Sequence, residues 1–293
     1  MRARVAALSA LRRWFEDHGY PEVLTPTVVP SPALEANLYG VPAGGAWLRT
    51  SPEFALKKAL ATGLCRAYEL GPCYRADERG PWHRQEFLML EWYRAGATLH
   101  DLMDEVESLV AHVARALDRP APGVWQRRRV RDVFFAATGV DAWTATAAEI
   151  SAQDAHDADE AFFRRWVDDV EQTITAPTFL FGWPASQAAL AVVHHRPDGA
   201  YAARFEAFLG GVELANAFEE LRDGPELRRR FEASADLRRR RGEPPHPTDD
   251  ALIAAVDRLP PMSGIALGFD RLVALLTGAR DIGAGRIVDP EPG

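Results

Sequence analysis

The apolar positions of the chain change period several times, and each change marks an element. Val5, Leu8, Leu11 and Phe15 recur at helical spacing with Trp14 alongside, which predicts an amphipathic helix over about 1–15. Gly19 ends it, and Tyr20 to Pro26 reads as a short strand closed by a proline. Residues 27–46 are rich in Pro and Gly and read as loop. A helix follows from Phe54 to Thr62. Arg66–Tyr74 and Phe87–Tyr93 read as two antiparallel strands joined by a long charged loop with Gly80-Pro81 at its tip. Leu99–Leu117 is a packing helix with Leu102, Val106, Leu109, Val113 and Leu117 on one stripe.

Beyond a Pro- and Gly-containing connection, a helical segment is expected over about 130–175. Two charged runs there, Arg127 to Arg131 and Asp154 to Glu160, read as solvated faces. Thr178–Phe181 is a strand, and 182–188 a loop carrying Ser186 and Gln187. In Glu206–Leu221 apolar and polar residues mix around Gly210-Gly211, which predicts a hairpin. Arg228–Arg241 is an arginine-heavy helix, read as a solvated face or a surface for a macromolecule. Ser263–Leu276 is a glycine-containing strand and turn leading into a helix, with Asp270 placed to cap it.

Composition narrows the class. Of 293 residues, 47% are hydrophobic and 26% charged, ordinary for a globular protein, and the net charge of −8 gives no general attraction to nucleic acid. Cys65 and Cys73 have no metal spacing and read as two small core residues in a reducing, cytoplasmic setting. No apolar run approaches the length of a membrane span.

Several residues invite chemistry. The Gly210-Gly211 hairpin brings Glu206 and Glu213 together on neighbouring strands, where two carboxylates need a cation; hard oxygen ligands suit magnesium bound with phosphates. A solvated acidic strand is the other reading. Glu220 is placed to meet a cationic substrate group. Arg75, His83 and the loop charges form a candidate polyphosphate clamp, since the arginine fork donates two bonds. Phe87 is a candidate platform for a nucleobase. Glu91, four residues on, shares its face and is costly to bury unpaired. Glu53, beside Pro52 at a helix start, serves either the helix dipole or a substrate amine. Arg271 gains nothing from a helix N-terminus, which favours a function.

Helix-to-strand ending at Pro26, Arg75 with the loop to Phe87 and Glu91, and Gly-x-Asp-Arg at 268–271 resemble motifs 1, 2 and 3 of the class II aminoacyl-tRNA synthetases. Thr50-Ser51-Pro52-Glu53, His83-x-x-Glu86-Phe87-x-Met89-Leu90-Glu91-Trp92-Tyr93 and Gly211-Val212-Glu213-Leu214-Ala215-Asn216 resemble the lysyl branch. Within it, Pro184-Ala185-Ser186-Gln187-Ala188 and Glu243-x-x-His246-Pro247 look like the stand-alone paralogues that attach β-lysine to elongation factor P.

The resemblance implies an α+β fold, an antiparallel sheet flanked by helices. It implies one catalytic domain over 1–293 with a helical insert at about 120–175, and a homodimer through motif 1. The motif 1 helix starts near Met1, so no anticodon-binding OB domain and no tRNA partner are expected. Carried over, Arg75 and Arg271 hold ATP phosphates with help from His83, and Asp77 stands where the family has Glu. Phe87 stacks on adenine, and Glu206 and Glu213 hold Mg2+. Glu91 and Glu220 grip the distal amine of lysine or (R)-β-lysine, with Tyr93 and Ala266 in the same amino-acid pocket. Glu53 contacts the other amine, and Asn216 the carboxylate. The implied activity is ATP-dependent adenylation of the amino acid and transfer to a lysine side chain of elongation factor P. The alternatives are transfer to a carrier protein, a small molecule or tRNA, or a catalytically silent amino-acid sensor. Arg84-Gln85 in place of Asn-Pro, and Ala217 in place of Gly, depart from the family pattern.

Overall fold

The computed structural model of the chain describes residues 2–150 and 158–286, so residues 154–157 of the acidic run lie outside the described residues. The chain divides into two units, Met1–Ala121 with Glu220–Gly293, and Pro122–Glu219.

The first unit opens on α1 (Arg2–Asp17). Its buried stripe is Ala7, Ala10, Leu11, Trp14 and Phe15, while Val5 is 58% exposed. The phase expected from the large apolar residues is therefore displaced, because two alanines let this face approach α3 (Leu99–Ala116) closely. Tyr20–Pro26 is not a strand. It makes one parallel bridge, Glu22 with Tyr68, because Pro21 and Pro26 have no N–H for a ladder. The expected loop at 27–46 instead holds two strands of a small sheet, β1 (Val28–Val29) and β2 (Val41–Ala43). Both pair with β3 (Ala46–Leu48) in the order β1-β3-β2. Gly44 and Gly45, with φ of 58° and 89°, form the two-residue turn that only a pair tolerating positive φ makes easily.

After α2 (Glu53–Leu60) come β4 (Arg66–Tyr74) and β5 (Glu86–Ala95), antiparallel in register Tyr68↔Trp92 and Glu69↔Glu91. Period-two alternation gives these strands two different sides. Phe15 stacks on Tyr68 at 4.1 Å and meets Trp92 edge-on, so one side is the aromatic floor beneath α1 and α3. The other side carries Glu69, Glu91 and Tyr93. Glu69 is matched there by Arg49 at 2.6 Å, a pair only 1–2% exposed. Thr98 caps α3 in a reciprocal capping box with Asp101. Thr98→Ala is expected to cost about 1 kcal/mol in a urea melt.

The second unit begins with β6 (Gln126–Arg129), parallel to β7 (Thr178–Pro184). The arginine run expected in a helix is thus mostly strand, and it is largely exposed. α4 (Val130–Thr138), α5 (Ala147–Ile150) and α6 (Ala158–Arg165) contribute Val133, Phe134, Phe162 and neighbours to a core with Leu180, Trp183 and Phe208. β8 (Val193–Arg196) pairs with β9 (Gly199–Leu209), which lies between β7 and β10 (Val212–Glu219).

The chain returns to the first unit with α7 (Gly224–Arg240), α8 (Asp250–Val256), β11 (Met262–Gly268) and α9 (Phe269–Thr277). β11 adds antiparallel to β5, placing Gly264 opposite Tyr93 and Ala266 opposite Glu91. In α7, Arg228, Arg229 and Arg239 pair with acids, and Arg238 is buried, donating to the Ala36 carbonyl at 2.7 Å. Cys73 is buried as expected of a core residue; Cys65 is exposed. Helices packed on antiparallel-rich strands make this an α+β fold. No described helix is long and apolar enough to cross a membrane.

Candidate active site

In the first unit, β5, β11, the start of α2 and Glu220 assemble an acidic pocket. Phe87, Met89, Glu91 and Tyr93 alternate onto one side of β5, and β11 brings Gly264 and Ala266 opposite Tyr93 and Glu91. Glu91 is 1% exposed. It accepts from the Tyr93 hydroxyl at 2.6 Å and the Ser51 hydroxyl at 2.7 Å. Burial, then the charge of Glu53, push its carboxyl up to about 8, although these two hydrogen bonds and Lys57 pull the other way.

Glu53 does not cap α2. Pro52 occupies the N-cap, and the Glu53 carboxylate turns to Lys57 at 2.6 Å. Lys57, 1% exposed, also lies 2.5 Å from Glu220. Burial draws the Lys57 ammonium down, but Glu220 and Glu53 outweigh it and hold the group above its ordinary range. Glu220 is likewise raised by burial, to about 7, with Lys57 opposing and Glu53 adding. Its Oε1 has no hydrogen-bond partner among the described residues, an arrangement that costs free energy until a donor arrives. A Cβ at Gly264 would lie 2.1 Å from Tyr93 Cε1 and 2.6 Å from Glu220 Oε1, so the pocket requires the bare backbone there.

The phosphate-type residues of this unit also converge in part. Arg271 donates to His83 Nε2 at 2.7 Å and to the Trp82 carbonyl, so the start of α9 reaches the loop between β4 and β5. Arg75 lies over the Phe87 ring at 5.2 Å and donates to Glu78 at 2.7 Å. Asp77 is exposed; its neighbour Glu78 provides the carboxylate beside Arg75. Asp270 is not a cap either. Gly268 holds that position, and the Asp270 carboxylate accepts from the Leu88 amide at 2.8 Å and pairs with Arg4. Arg84 is 3% exposed and bridges Gly80 and Asp281, a structural role for that departure.

In the second unit, the β9–β10 hairpin forms at Gly210-Gly211. Glu206 opposes Asn216, and Glu213 opposes Phe208. Glu213 and Asn216 are three apart and would face opposite sides of a regular strand. A bulge between Glu213 and Ala215 absorbs one residue and turns both to the side of Glu206. Ala217 opposes Phe205 on the other, fully buried side. Burial, then Glu213, push Glu206 up to about 8, despite its ion pair with Arg204. The buried Oδ1 of Asn216 has no hydrogen-bond partner among the described residues. Among the described residues, no group of three or more His, Cys, Asp or Glu side chains forms a metal cage. Two carboxylates on one side of the hairpin suit a hard cation that brings further oxygens from its ligand.

Ser51 and Lys57 receive no role from the sequence pattern. The signal for Lys57 was present: a lysine one helical turn after Glu53, between Leu56 and Leu60 on a buried stripe.

A family model of class II tRNA synthetases (D, K and N) matches residues 1–284. The chain is 37% identical over 305 residues to an "Elongation factor P--(R)-beta-lysine ligase" of Yersinia enterocolitica, covering 95% of this chain and 91% of the relative. By fold, motif order and sequence, the chain belongs to the class II tRNA synthetases of the D, K and N group.

Proposed function

We propose that this protein activates lysine or (R)-β-lysine with ATP and transfers it to a lysine side chain of elongation factor P, the acceptor named for its Yersinia relative. The observation that carries the amino-acid half of the reading is the buried pocket of Glu53, Glu91 and Glu220, with Glu220 Oε1 lacking a donor. An ammonium group supplies the donor and the positive charge together.

Glu91 and Glu220 receive the distal amine, Glu53 the amine nearer the carboxylate, and Asn216 orients the carboxylate. The carboxylate oxygen attacks the α-phosphorus of ATP, pyrophosphate leaves, and an acyl-adenylate remains. Arg75, Arg271 and His83 neutralise phosphate charge, and the Phe87 side chain faces the adenine. Glu206 and Glu213 would hold Mg2+, which would offset charge on the phosphates. The acceptor ε-amine then attacks the acyl carbon, forms an amide and displaces AMP. The chain acts as one catalytic domain over 1–293. Exposed Val5, Leu24 and Val28, at 58%, 84% and 54%, support a homodimer through the motif 1 segment. A translation factor as acceptor places the protein in the cytoplasm.

The test is the mass of purified elongation factor P after incubation with the protein, ATP and each lysine isomer. One added aminoacyl group is expected. An unchanged mass with both isomers, from protein that exchanges pyrophosphate into ATP, removes this acceptor and leaves a carrier protein, small molecule or tRNA.

A further inference from the structure

Lys57 sits where an amine-binding pocket has least room for it. Its ammonium takes the space between Glu53 and Glu220, at 2.6 and 2.5 Å, in a position 1% exposed to solvent. A pocket meant simply to attract cations gains nothing from a cation of its own. The charge count explains its presence. Once ionised, as gripping an ammonium requires, Glu53, Glu91 and Glu220 bring three negative charges, and Lys57 returns one, leaving two. Other groups do not alter the sum: Tyr93 is held protonated, the Cys73 thiol is pushed up to about 12, and Arg49 is consumed by Glu69. A diamino acid carries two ammonium groups, which match the two net negative charges of the pocket as no monoamine can; its carboxylate, the reacting group, lies outside this count.

We infer that Lys57 is a positioning residue that sets the charge of the amino-acid pocket to match a doubly charged diamino acid and bridges Glu53 to Glu220 so that Glu91 and the open oxygen of Glu220 are left to the substrate. This rests on the proposed function. Without Lys57 the pocket has three carboxylates, and a proton retained among them competes with the substrate. Without Glu53 the pocket has one net negative charge, one short of the substrate's two positive charges. Removing both restores −2 with Glu91 and Glu220 in place.

The experiment measures amino-acid-dependent exchange of pyrophosphate into ATP for the wild type, Lys57→Met, Glu53→Gln and the double variant, with thermal melts to confirm folding. Each single variant is expected to raise KM for the diamino acid at least about tenfold, the equivalent of one pKa unit or more, with kcat changed less. The double variant is expected to have a lower KM than either single variant. A residue that only supports packing gives a double variant no better than Glu53→Gln, and that result overturns the inference. Should Lys57→Met not fold, the double variant against Glu53→Gln decides alone. A wild type that exchanges no label with either lysine isomer overturns the functional reading and this inference with it. Exchange by the wild type without rescue in the double variant overturns the inference only.

Discussion

Gly264→Ala is expected to cut amino-acid-dependent pyrophosphate exchange by on the order of a hundredfold. The added methyl has no space. It would lie 2.1 Å from the Tyr93 ring and 2.6 Å from Glu220 Oε1, and both are fixed. Tyr93 is held through its hydroxyl to Glu91, and Glu220 through Lys57. Relief by moving Tyr93 therefore disturbs Glu91, and relief by moving Glu220 disturbs Lys57 and Glu53. Overpacking of this kind also costs about 1–3 kcal/mol of stability. A urea melt that shows a folded variant, together with exchange near the wild-type level, would remove Glu220 and Tyr93 from the amino-acid pocket.

Binding of the amino acid is expected to strengthen by on the order of a hundredfold between pH 6 and pH 8, with net release of protons. Glu91 is raised to about 8 and Glu220 to about 7, and an ammonium needs both ionised. At pH 6 the free pocket holds protons on both, and each must leave before the ligand is gripped. The substrate amines stay charged over this range, so the trend belongs to the protein. Calorimetry in buffers of different ionisation enthalpy reads the proton count directly. Proton uptake, or a flat profile, contradicts the assignment. The sign for the ligand-free protein is opposite. A carboxyl whose folded pKa exceeds its unfolded value near 4.5 stabilises the fold at low pH and loses that contribution as pH rises through 7 to 8. The free protein is expected to melt earlier at pH 8.5 than at pH 6.

Much of this geometry was legible in the sequence, for reasons that differ by element. Arg66–Tyr74 and the strand through Phe87, Glu91 and Tyr93 announced themselves because period-two alternation fixes a face regardless of what lies around it. The hairpin at Gly210-Gly211 was legible because paired glycines have few other uses between apolar runs. The small sheet of β1, β2 and β3 was hidden because strands of two or three residues have no measurable period. The phase of α1 was misjudged because packing turns on the smallest residues, Ala7 and Ala10, and not the largest. Lys57 was passed over because a lysine near a carboxylate one turn away is the commonest of surface pairs; only tertiary burial makes it singular. Asp270 reads as a helix cap, and Glu53 as serving either the helix dipole or a substrate amine, since local chemistry cannot reveal a partner distant in the chain or across a turn.

The irregularity between Glu213 and Ala215 governs what mutational drift this hairpin survives. A substitution at Leu214 alters one side chain. Excision of that single residue removes the bulge and leaves Glu213 and Asn216 two apart, so both stay on the side of Glu206, whereas loss of two residues between them turns Asn216 to the opposite side. The phase between Glu213 and Asn216 is therefore the guarded property here. Libraries built to widen amino-acid choice can vary Leu214 but should keep Glu213 and Asn216 in identity and in phase.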